Sequence, residues 1–243
     1  MIAKYLTQND FFDEYIKLYA TRFTMGSLRI EDGKTNLTSK ERAIEMYNNM
    51  KAITQLIKTN PEKLSPYDVV DVAEIINQNL NFFDRGFRKV QVEVRGAPFF
   101  PTAPKNIVSE MYSLFDCYYN IWNILPSYER EARFHIKFIH IHPFEDGNGR
   151  TGRILTGYNL CRDNKAPIVI DSKERKKYFE YINNNDVDNL ALLFEKKSKE
   201  EFEVMLNLYE TICGNKIENT NQNNIVDEHG VKIYEMSSKK RNK

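Results

Sequence analysis

The stretch His142-Pro-Phe-Glu-Asp-Gly-Asn-Gly-Arg-Thr-Gly-Arg153 decides how this 243-residue chain is interpreted. An apolar helix predicted over 128–141 ends at the proline, a glycine-containing loop follows, and a second helix begins after the loop. Gly147 and Gly149 let the backbone approach a ligand closely, and the free N–H groups and dipole of a helix N-terminus favour an anion. The stretch therefore predicts a phosphate-binding loop between two helices.

The charged side chains of the same stretch suit a polyphosphate with a metal ion. Arg150 and Arg153 lie three residues apart on one face of the helix, where each could hold phosphate oxygens. Asp146 offers a hard oxygen ligand suited to Mg²⁺. His142 can take a proton from a hydroxyl near neutral pH. Each residue alone is typical of a helix end, a turn or a solvated helix face, but their combination in one loop favours catalysis.

Hydrophobic periodicity predicts a mainly α-helical fold. In the first third of the chain apolar residues recur at helical spacing in three groups: Phe12, Tyr15, Ile16 and Tyr19; Ala43, Met46, Met50, Ile53 and Ile57; Val69, Val72, Ile75 and Ile76. Further helices, which bring the total to about eight, are predicted over 107–124, 128–141, 150–162, 174–183 and 187–213.

The interval 87–104 breaks this helical pattern. Apolar and polar residues alternate from Lys89 to Val94, and Arg95-Gly96 follows, which favours a short strand that turns back on itself. Three further prolines disfavour helix until about Asn106. We therefore expect a small β-hairpin that projects from a helical body.

The composition is that of an ordinary globular protein, with 41% hydrophobic residues, 28% charged residues and a formal net charge of +1. Balanced charge gives no general attraction to nucleic acid or an anionic membrane, so we expect neither as a partner. Cys117, Cys161 and Cys213 lack the paired spacing of a zinc site and are expected to be reduced and partly buried. No apolar run is long enough for a signal peptide or a membrane span, and we expect a cytoplasmic protein.

The stretch from His142 resembles the signature of the Fic (filamentation induced by cAMP) family, His-Pro-Phe-x-Asp/Glu-Gly-Asn-Gly-Arg-x-x-Arg, at every specified position. The resemblance implies a helical Fic core over 64–197 with a β-hairpin "flap" above the active site. On this view N-terminal helices occupy 1–63. A C-terminal helix and a loosely held, Asn-rich tail occupy 198–243.

The resemblance also implies the reaction, which is transfer of AMP from ATP to a Ser, Thr or Tyr hydroxyl of a target protein with release of pyrophosphate. His142 would be the base, Asp146 would bind Mg²⁺ on the phosphates, and Phe144 would anchor the loop in the core. The first motif arginine would hold the β-phosphate and the second the γ-phosphate. The residues that would bind the phosphates are Gly147, Asn148, Gly149, Arg150 and Arg153.

Two further sites follow from the resemblance. The flap over 87–104 would align an extended stretch of the target by main-chain hydrogen bonds, and its central residues are Val90, Gln91, Val92 and Glu93. An adenine pocket would be built near the C-terminal end of the core, where aromatic residues at helical spacing are also typical of a core. The residues at that position are Tyr178, Tyr181 and Asn184.

An N-terminal segment, Ser27-Leu-Arg-Ile-Glu31, resembles the inhibitory motif Ser/Thr-x-x-x-Glu-Gly/Asn of many Fic proteins. A spacing of four places Ser27 and Glu31 on one helix face. In the family this glutamate pairs with the second motif arginine, here Arg153, so that the γ-phosphate cannot dock. Asp32 departs from the pattern, and the same five-residue pattern recurs by chance at 127–131.

Other activities stay open at this point. In the Doc-type kinases lysine replaces the second loop glycine, so Gly149 argues for nucleotide transfer. A different nucleotide or phosphodiester donor, or removal of AMP with water positioned by Glu31, is compatible with the same loop. A nucleotide-binding module without turnover is disfavoured by His142, and a transcriptional adaptor by the lack of a helix-turn-helix segment. The target protein is not identified and could be the protein itself, and the resemblance is compatible with a homo-oligomer.

Overall fold

A computed structural model describes residues 9–31, 38–80 and 85–213, together with two short strands. In this part of the chain there are eight α-helices, which confirms the prediction of a mainly α-helical fold. They are α1 (Asn9–Ile30), α2 (Ser39–Thr59), α3 (Pro66–Asn77), α4 (Ile107–Asp116), α5 (Ser127–Ile141), α6 (Asn148–Arg162), α7 (Arg175–Asn183) and α8 (Val187–Cys213). The strands β1 (Ile225–Val226) and β2 (Lys232–Ile233) pair antiparallel.

Short non-α turns flank α4. A 3₁₀ turn spans Pro104–Asn106, a π turn spans Cys117–Ile121, and a second 3₁₀ turn spans Trp122–Ile124. The continuous helix predicted over 107–124 is therefore helical throughout but changes its pitch after Asp116.

Local capping explains where the N-terminal helices begin. At α2 the Thr38 side chain accepts from the Glu41 N–H while the Glu41 carboxylate accepts from Thr38, a reciprocal capping box. Ser65 and Asp68 form the same arrangement at α3, where Pro66 occupies the first helical position. These hydrogen bonds therefore fix the N-terminal ends of both helices.

The helices α5 and α6 form the centre of the molecule. α5 packs against α4, α6 and α8, and α6 also packs against α2 and α3. The side chains that fill the space between them are buried and mostly aromatic or aliphatic, among them Phe134, Phe138, Ile154, Leu155 and Phe194. The loop with the phosphate-binding pattern therefore joins the two central helices of the core.

Helix α1 lies against α2, α8 and the extended segment 166–170. The Tyr19 hydroxyl donates to the carbonyl of Ile168 at 3.1 Å. Gly26 approaches the same segment so closely that a Cβ at this position would overlap the carbonyl oxygen of Ile170. On the other side, Arg22 pairs with the buried carboxylate of Glu201 on α8. These contacts fix the position of α1 along its axis.

The buried face of α2 differs from the face that the apolar spacing suggested. Ala43 and Met46 are exposed, whereas Glu45, Asn48 and Asn49 are buried. Asn48 donates to two carbonyls at the end of α3, and the carboxylate of Glu45 reaches α6. The helix was predicted correctly, but its inward face is partly polar because it packs against polar groups of the core.

The predicted hairpin is not confirmed. Residues 85–103 contain no strand, and a single backbone hydrogen bond from Ala97 to Val94 closes a turn at Arg95-Gly96. The guanidinium of Arg88 binds the carbonyls of Val90 and Thr102 and so holds the two sides of this segment in place of ladder bonds. The segment is an extended loop with a turn at the predicted place.

Several expectations concern residues at the margin of this description. Cys117 and Cys161 are free and partly buried, as predicted, while the side chain of Cys213 lies outside the described residues. Asp32 and all but four residues of the tail after Lys216 also lie outside them. None of the described helices is long and apolar enough to cross a membrane. The domain boundaries proposed after residues 63 and 197 stay predictions.

Candidate active site

His142 follows α5 directly and leaves the helix in a left-handed backbone conformation, with φ 50° and ψ 61°. Its N–H still donates to the carbonyl of Phe138 at 3.0 Å. A residue with a Cβ rarely adopts this conformation, which is retained only where the surroundings enforce it. The turn at the proposed base is therefore strained and needs support.

The buried side chain of Arg88 supplies this support. Its Nε donates to the carbonyl of His142 at 2.8 Å, and its Nη2 lies 3.4 Å from the carbonyl of Ile141. These carbonyls are at the C-terminus of α5, where no further helical N–H can reach them. Since Arg88 also binds the loop 88–102, one cation fixes the end of α5 and the segment predicted as the flap.

Burial lowers the pKa of His142 to about 4, and the nearby positive charge of Arg88 acts in the same direction. The carbonyl of Ile139 and the carboxylate of Asp146 oppose this shift without reversing it. The imidazole is therefore neutral at pH 7, which is the state that can accept a proton.

Phe144 and Asn148 close the loop on itself. The Asn148 side chain accepts from the Phe144 N–H at 2.9 Å and donates to the Phe144 carbonyl at 2.8 Å. The Phe144 ring is fully buried and lies 5.7 Å from the ring of Phe87. Phe144 anchors the loop in the core as expected, and Asn148 orients the loop with its side chain.

Both loop glycines lie against polar side chains of the site. Gly147 has a φ of 82°, and a Cβ there would lie 2.7 Å from Nδ2 of Asn77. A Cβ at Gly149 would lie 2.9 Å from Nη1 of Arg153 and 3.0 Å from Oε1 of Glu31. The backbone at the start of α6 is thus packed directly against the charged groups of the site.

Arg153 is buried and is bound by the N-terminal motif. Its Nη2 donates to Oε1 of Glu31 at 2.8 Å, and its Nε donates to Oγ of Ser27 at 3.2 Å. Burial alone would lower the pKa of Arg153, but Tyr178 and Glu31 raise it above its ordinary value. The geometry expected of the inhibitory pair is present in the structure.

Arg150 is equally buried, with partners on three elements. Nη1 donates to Glu45 on α2 at 3.1 Å, and Nη2 donates to Oδ1 of Asn77 on α3 at 3.0 Å. Nη2 also lies 3.3 Å from Oδ2 of Asp146. Each motif arginine therefore has a carboxylate partner from the N-terminal helices.

Asp146 places a half-exposed carboxylate at the loop. Its side chain is 49% exposed, and Oδ1 accepts from the Gly147 N–H at 2.7 Å. Among the described residues no group of three or more His, Cys, Asp or Glu side chains could hold a metal ion by itself. A single carboxylate fits Mg²⁺ that arrives with a nucleotide and keeps phosphate and water ligands.

The three residues predicted for an adenine pocket lie in different surroundings. Tyr178 is buried in the core, and its hydroxyl lies 2.6 Å from Nε2 of His135. Tyr181 is half-buried and Asn184 is exposed at the end of α7. Aromatic residues at helical spacing often fill cores, which accounts for the position of Tyr178. The pocket stays a prediction.

Sequence reasoning missed four residues that organise the site. Arg88 lies in an irregular segment and is part of no recognisable pattern. Glu45 and Asn77 are polar residues on inward helix faces, and a check for polar residues among buried positions could have indicated them. Arg175 donates to the carbonyl of Ile30 at 2.7 Å and so holds the end of α1, a contact that depends on tertiary structure.

Residues 63–160 match the model of the Fic/DOC family. The chain carries a Fic/DOC domain. Protein adenylyltransferase Fic of Nematostella vectensis is 28% identical over 173 residues, which cover 68% of this chain and 39% of that protein. Protein adenylyltransferase fic-1 of Caenorhabditis briggsae is 25% identical over 181 residues, which cover 72% of this chain and 35% of that protein. The chain spans about a third of the length of these curated relatives.

Solved Fic structures share the fold. A Fic domain-containing signalling protein from Bacteroides thetaiotaomicron aligns with a TM-score of 0.70 at 19% identity, covering 83% of this chain and 92% of that chain. Fic-1 of C. elegans aligns with a TM-score of 0.58 at 17% identity, covering 88% of this chain and 66% of that chain. At these identities the likeness establishes the Fic fold of the chain.

Burial of His142 in the Fic domain predicts a low titration midpoint. A proton NMR titration of the free protein should give about 4 for this imidazole, compared with about 6.5 for an exposed histidine. Because the folded pKa lies below the unfolded one, the unfolded state takes up this proton first, and stability falls as the pH drops from about 6.5 towards 4. His142→Asn identifies the resonance and removes this part of the acid sensitivity. A midpoint near the ordinary value would contradict the burial.

The buried position of Phe144 predicts a large loss of stability on truncation. Phe144→Ala should lower the free energy of unfolding by about 3–5 kcal/mol, because it removes a packed ring and leaves a cavity. Urea unfolding followed by circular dichroism measures this change. Phe100→Ala is the matched control, since that ring is 86% exposed, and its effect should stay within about 0.5 kcal/mol. Equal effects at both positions would show that Phe144 does not anchor the loop.

Proposed function

We propose that the chain is a protein adenylyltransferase that transfers AMP from ATP to a hydroxyl side chain of a target protein, with pyrophosphate leaving, and that Glu31 inhibits it. The complete loop motif around a partly buried, neutral His142 carries this proposal. The names of the relatives support the same activity for the Fic/DOC domain. Neither the target nor the modified residue type follows from the site.

The proposed chemistry assigns the proton transfer to His142. The neutral imidazole removes the proton of the target hydroxyl as its oxygen attacks the α-phosphorus of ATP, and the bond to the pyrophosphate oxygen breaks. The loop residues contribute by positioning the phosphates and compensating their charge. The backbone N–H groups at the start of α6 would donate hydrogen bonds to the phosphates. The two motif arginines would supply positive charge.

Mg²⁺ would be held at the Asp146 carboxylate and would neutralise charge on the phosphates. Since Asp146 is the half-exposed member of the site, it can offer an oxygen without leaving the loop. Its Oδ1 contact with the Gly147 N–H keeps the carboxylate beside the phosphate-binding backbone.

Inhibition would result from competition for Arg153. The Glu31 carboxylate occupies the Nη2 of Arg153, the group that would otherwise bind the γ-phosphate, and Ser27 occupies its Nε. ATP could then enter only in a pose that leaves its γ-phosphate unpaired. Glu31 is suited to this role because it lies directly after the last residue of α1 and its side chain is 23% exposed.

A radiolabel experiment tests the transfer and its inhibition together. With ATP labelled at the α-phosphate and Mg²⁺, Glu31→Gly should incorporate label into itself or a lysate protein about 10-fold or more above wild type. The physical reason is that Arg153 loses its competitor. Intact mass analysis identifies an added AMP.

Glu31→Gly/His142→Ala is the control, and it should lose the label because the base is absent. Equal labelling by wild type and Glu31→Gly would remove the inhibitory role and keep the transferase. Absence of label in every variant, with several nucleotides, would instead favour removal of AMP or nucleotide binding without turnover.

The contact between Gly26 and Ile170 predicts a second activating change. In Gly26→Ala the new methyl group overlaps the carbonyl oxygen of Ile170, so α1 and the segment 166–170 must separate, and we expect this to disturb the contacts of Ser27 and Glu31 with Arg153. Labelling should rise about 5-fold or more, although alanine by itself favours a helix more than glycine does.

Two controls separate this effect from a general loosening of α1. Met25→Ala changes the adjacent, exposed side chain and should leave labelling unchanged. Gly26→Ala should add nothing in a Glu31→Gly background if it acts through the glutamate. Additive activation there would show that Gly26 acts by another route.

A further inference from the structure

The two motif arginines are paired with carboxylates of very different solvent exposure. Glu31, the partner of Arg153, lies at the end of α1 and has a 23% exposed side chain. Glu45, the partner of Arg150, lies within α2 and has a 3% exposed side chain. α2 is capped at both ends, by Thr38 and by Asn60 in a left-handed conformation. Glu45 therefore cannot leave Arg150 unless α2 itself moves.

Asn77 completes the surroundings of Arg150. Its Oδ1 accepts from Nη2 of the arginine at 3.0 Å, while its Nδ2 donates to the carbonyls of Ala73 at 3.0 Å and Asp146 at 3.3 Å. The amide thus links α3, the guanidinium and the backbone of the residue that would hold the metal. Gly147 leaves room for this amide, because a Cβ at that position would lie 2.7 Å from its Nδ2.

We propose that Glu45 and Asn77 are positioning residues that share the guanidinium of Arg150 with Asp146, so that it does not close fully on this carboxylate and Asp146 can still bind Mg²⁺. The proposal rests on the proposed function of the loop as a nucleotide site. It assigns to α2 and α3 a direct part in metal binding, although neither helix offers a ligand.

The charges of the cluster carry the argument. Arg150 faces two carboxylates, Glu45 at 3.1 Å and Asp146 at 3.3 Å. A buried cation that loses one anionic partner loses electrostatic stabilisation. It recovers this stabilisation by moving closer to the remaining anion. Without the charge of Glu45, the guanidinium would pair fully with Asp146 and occupy the oxygen that Mg²⁺ needs. Glu45 therefore prevents an internal cation from replacing the metal.

Nucleotide binding with and without Mg²⁺ tests this proposal in the Glu31→Gly protein. Calorimetry gives two quantities. One is the ATP affinity in EDTA, and the other is the Mg²⁺ concentration at which half of the Mg²⁺-dependent gain in ATP affinity is reached, called here the half-saturating Mg²⁺ concentration. In Glu45→Gln the half-saturating Mg²⁺ concentration should rise about 10-fold or more, as for other residues that orient a metal ligand. ATP affinity in EDTA should not fall, because the substitution removes a negative charge from the site.

Glu203→Gln is the matched control. It removes the same charge from an exposed position on α8 and should leave both measurements unchanged. The decisive variant is Glu45→Gln/Arg150→Met, which also removes the competing guanidinium. Its half-saturating Mg²⁺ concentration should return towards that of the parent, even if ATP itself binds more weakly. A structural role of Glu45 alone predicts no such recovery.

Asn77→Ala keeps both charges and provides the test if Glu45→Gln does not fold. The half-saturating Mg²⁺ concentration should again rise, by a smaller factor, at unchanged ATP affinity in EDTA. An unchanged Mg²⁺ requirement in these variants, or a proportional loss of binding with and without Mg²⁺, would overturn the proposal. Failure of the Glu31→Gly parent to bind ATP would instead overturn the proposed function itself.

Discussion

Burial of two cations beneath one loop is the constraint on which the site depends. Arg150 and Arg153 are almost inaccessible to solvent, and an unpaired buried charge would cost several kcal/mol. Both are therefore matched by carboxylates from the N-terminal region, Glu31 directly after α1 and Glu45 on α2. For this reason the helices that precede the family match are part of the same site. Their polar inward faces are required by the cations that they compensate.

The same principle explains the backbone around the proposed base. His142 adopts a left-handed conformation that a histidine takes at a cost, and the α5 carbonyls that it leaves exposed need donors. Arg88 provides these donors and connects them to the irregular segment 88–102. Side-chain hydrogen bonds of Arg88 and Gln91 hold that segment in place of a ladder of backbone bonds, and Arg88 couples its conformation to the turn at the active site.

Much of this organisation could be predicted from the sequence. The helices are long and strongly periodic, and the loop motif gathers its functional groups within twelve residues, so local patterns were sufficient for both. The inward face of α2 was misjudged because Glu45 and Asn49 look solvent-exposed unless their partners on distant elements are known. The alternation of apolar and polar residues suggested a strand at 89–94, but a strand also needs a second strand with which to pair. Here the side-chain hydrogen bonds of Arg88 replace such backbone pairing. Such long-range polar pairs have no local sequence pattern.

The unequal exposure of the two carboxylates gives a physical account of how such a site can be both stable and regulated. Under the proposed function the γ-phosphate of ATP would replace the Glu31 carboxylate as the anionic partner of Arg153. The buried cation would therefore stay paired both in the inhibited and in the ATP-bound state. The exchange then depends on how firmly α1 holds Glu31, through Gly26 and Arg175, and not on local unfolding of the core. Arg150 has no comparable exchange, because Glu45 is fixed within α2. One arginine is thus open to competition, while the other keeps the loop in place.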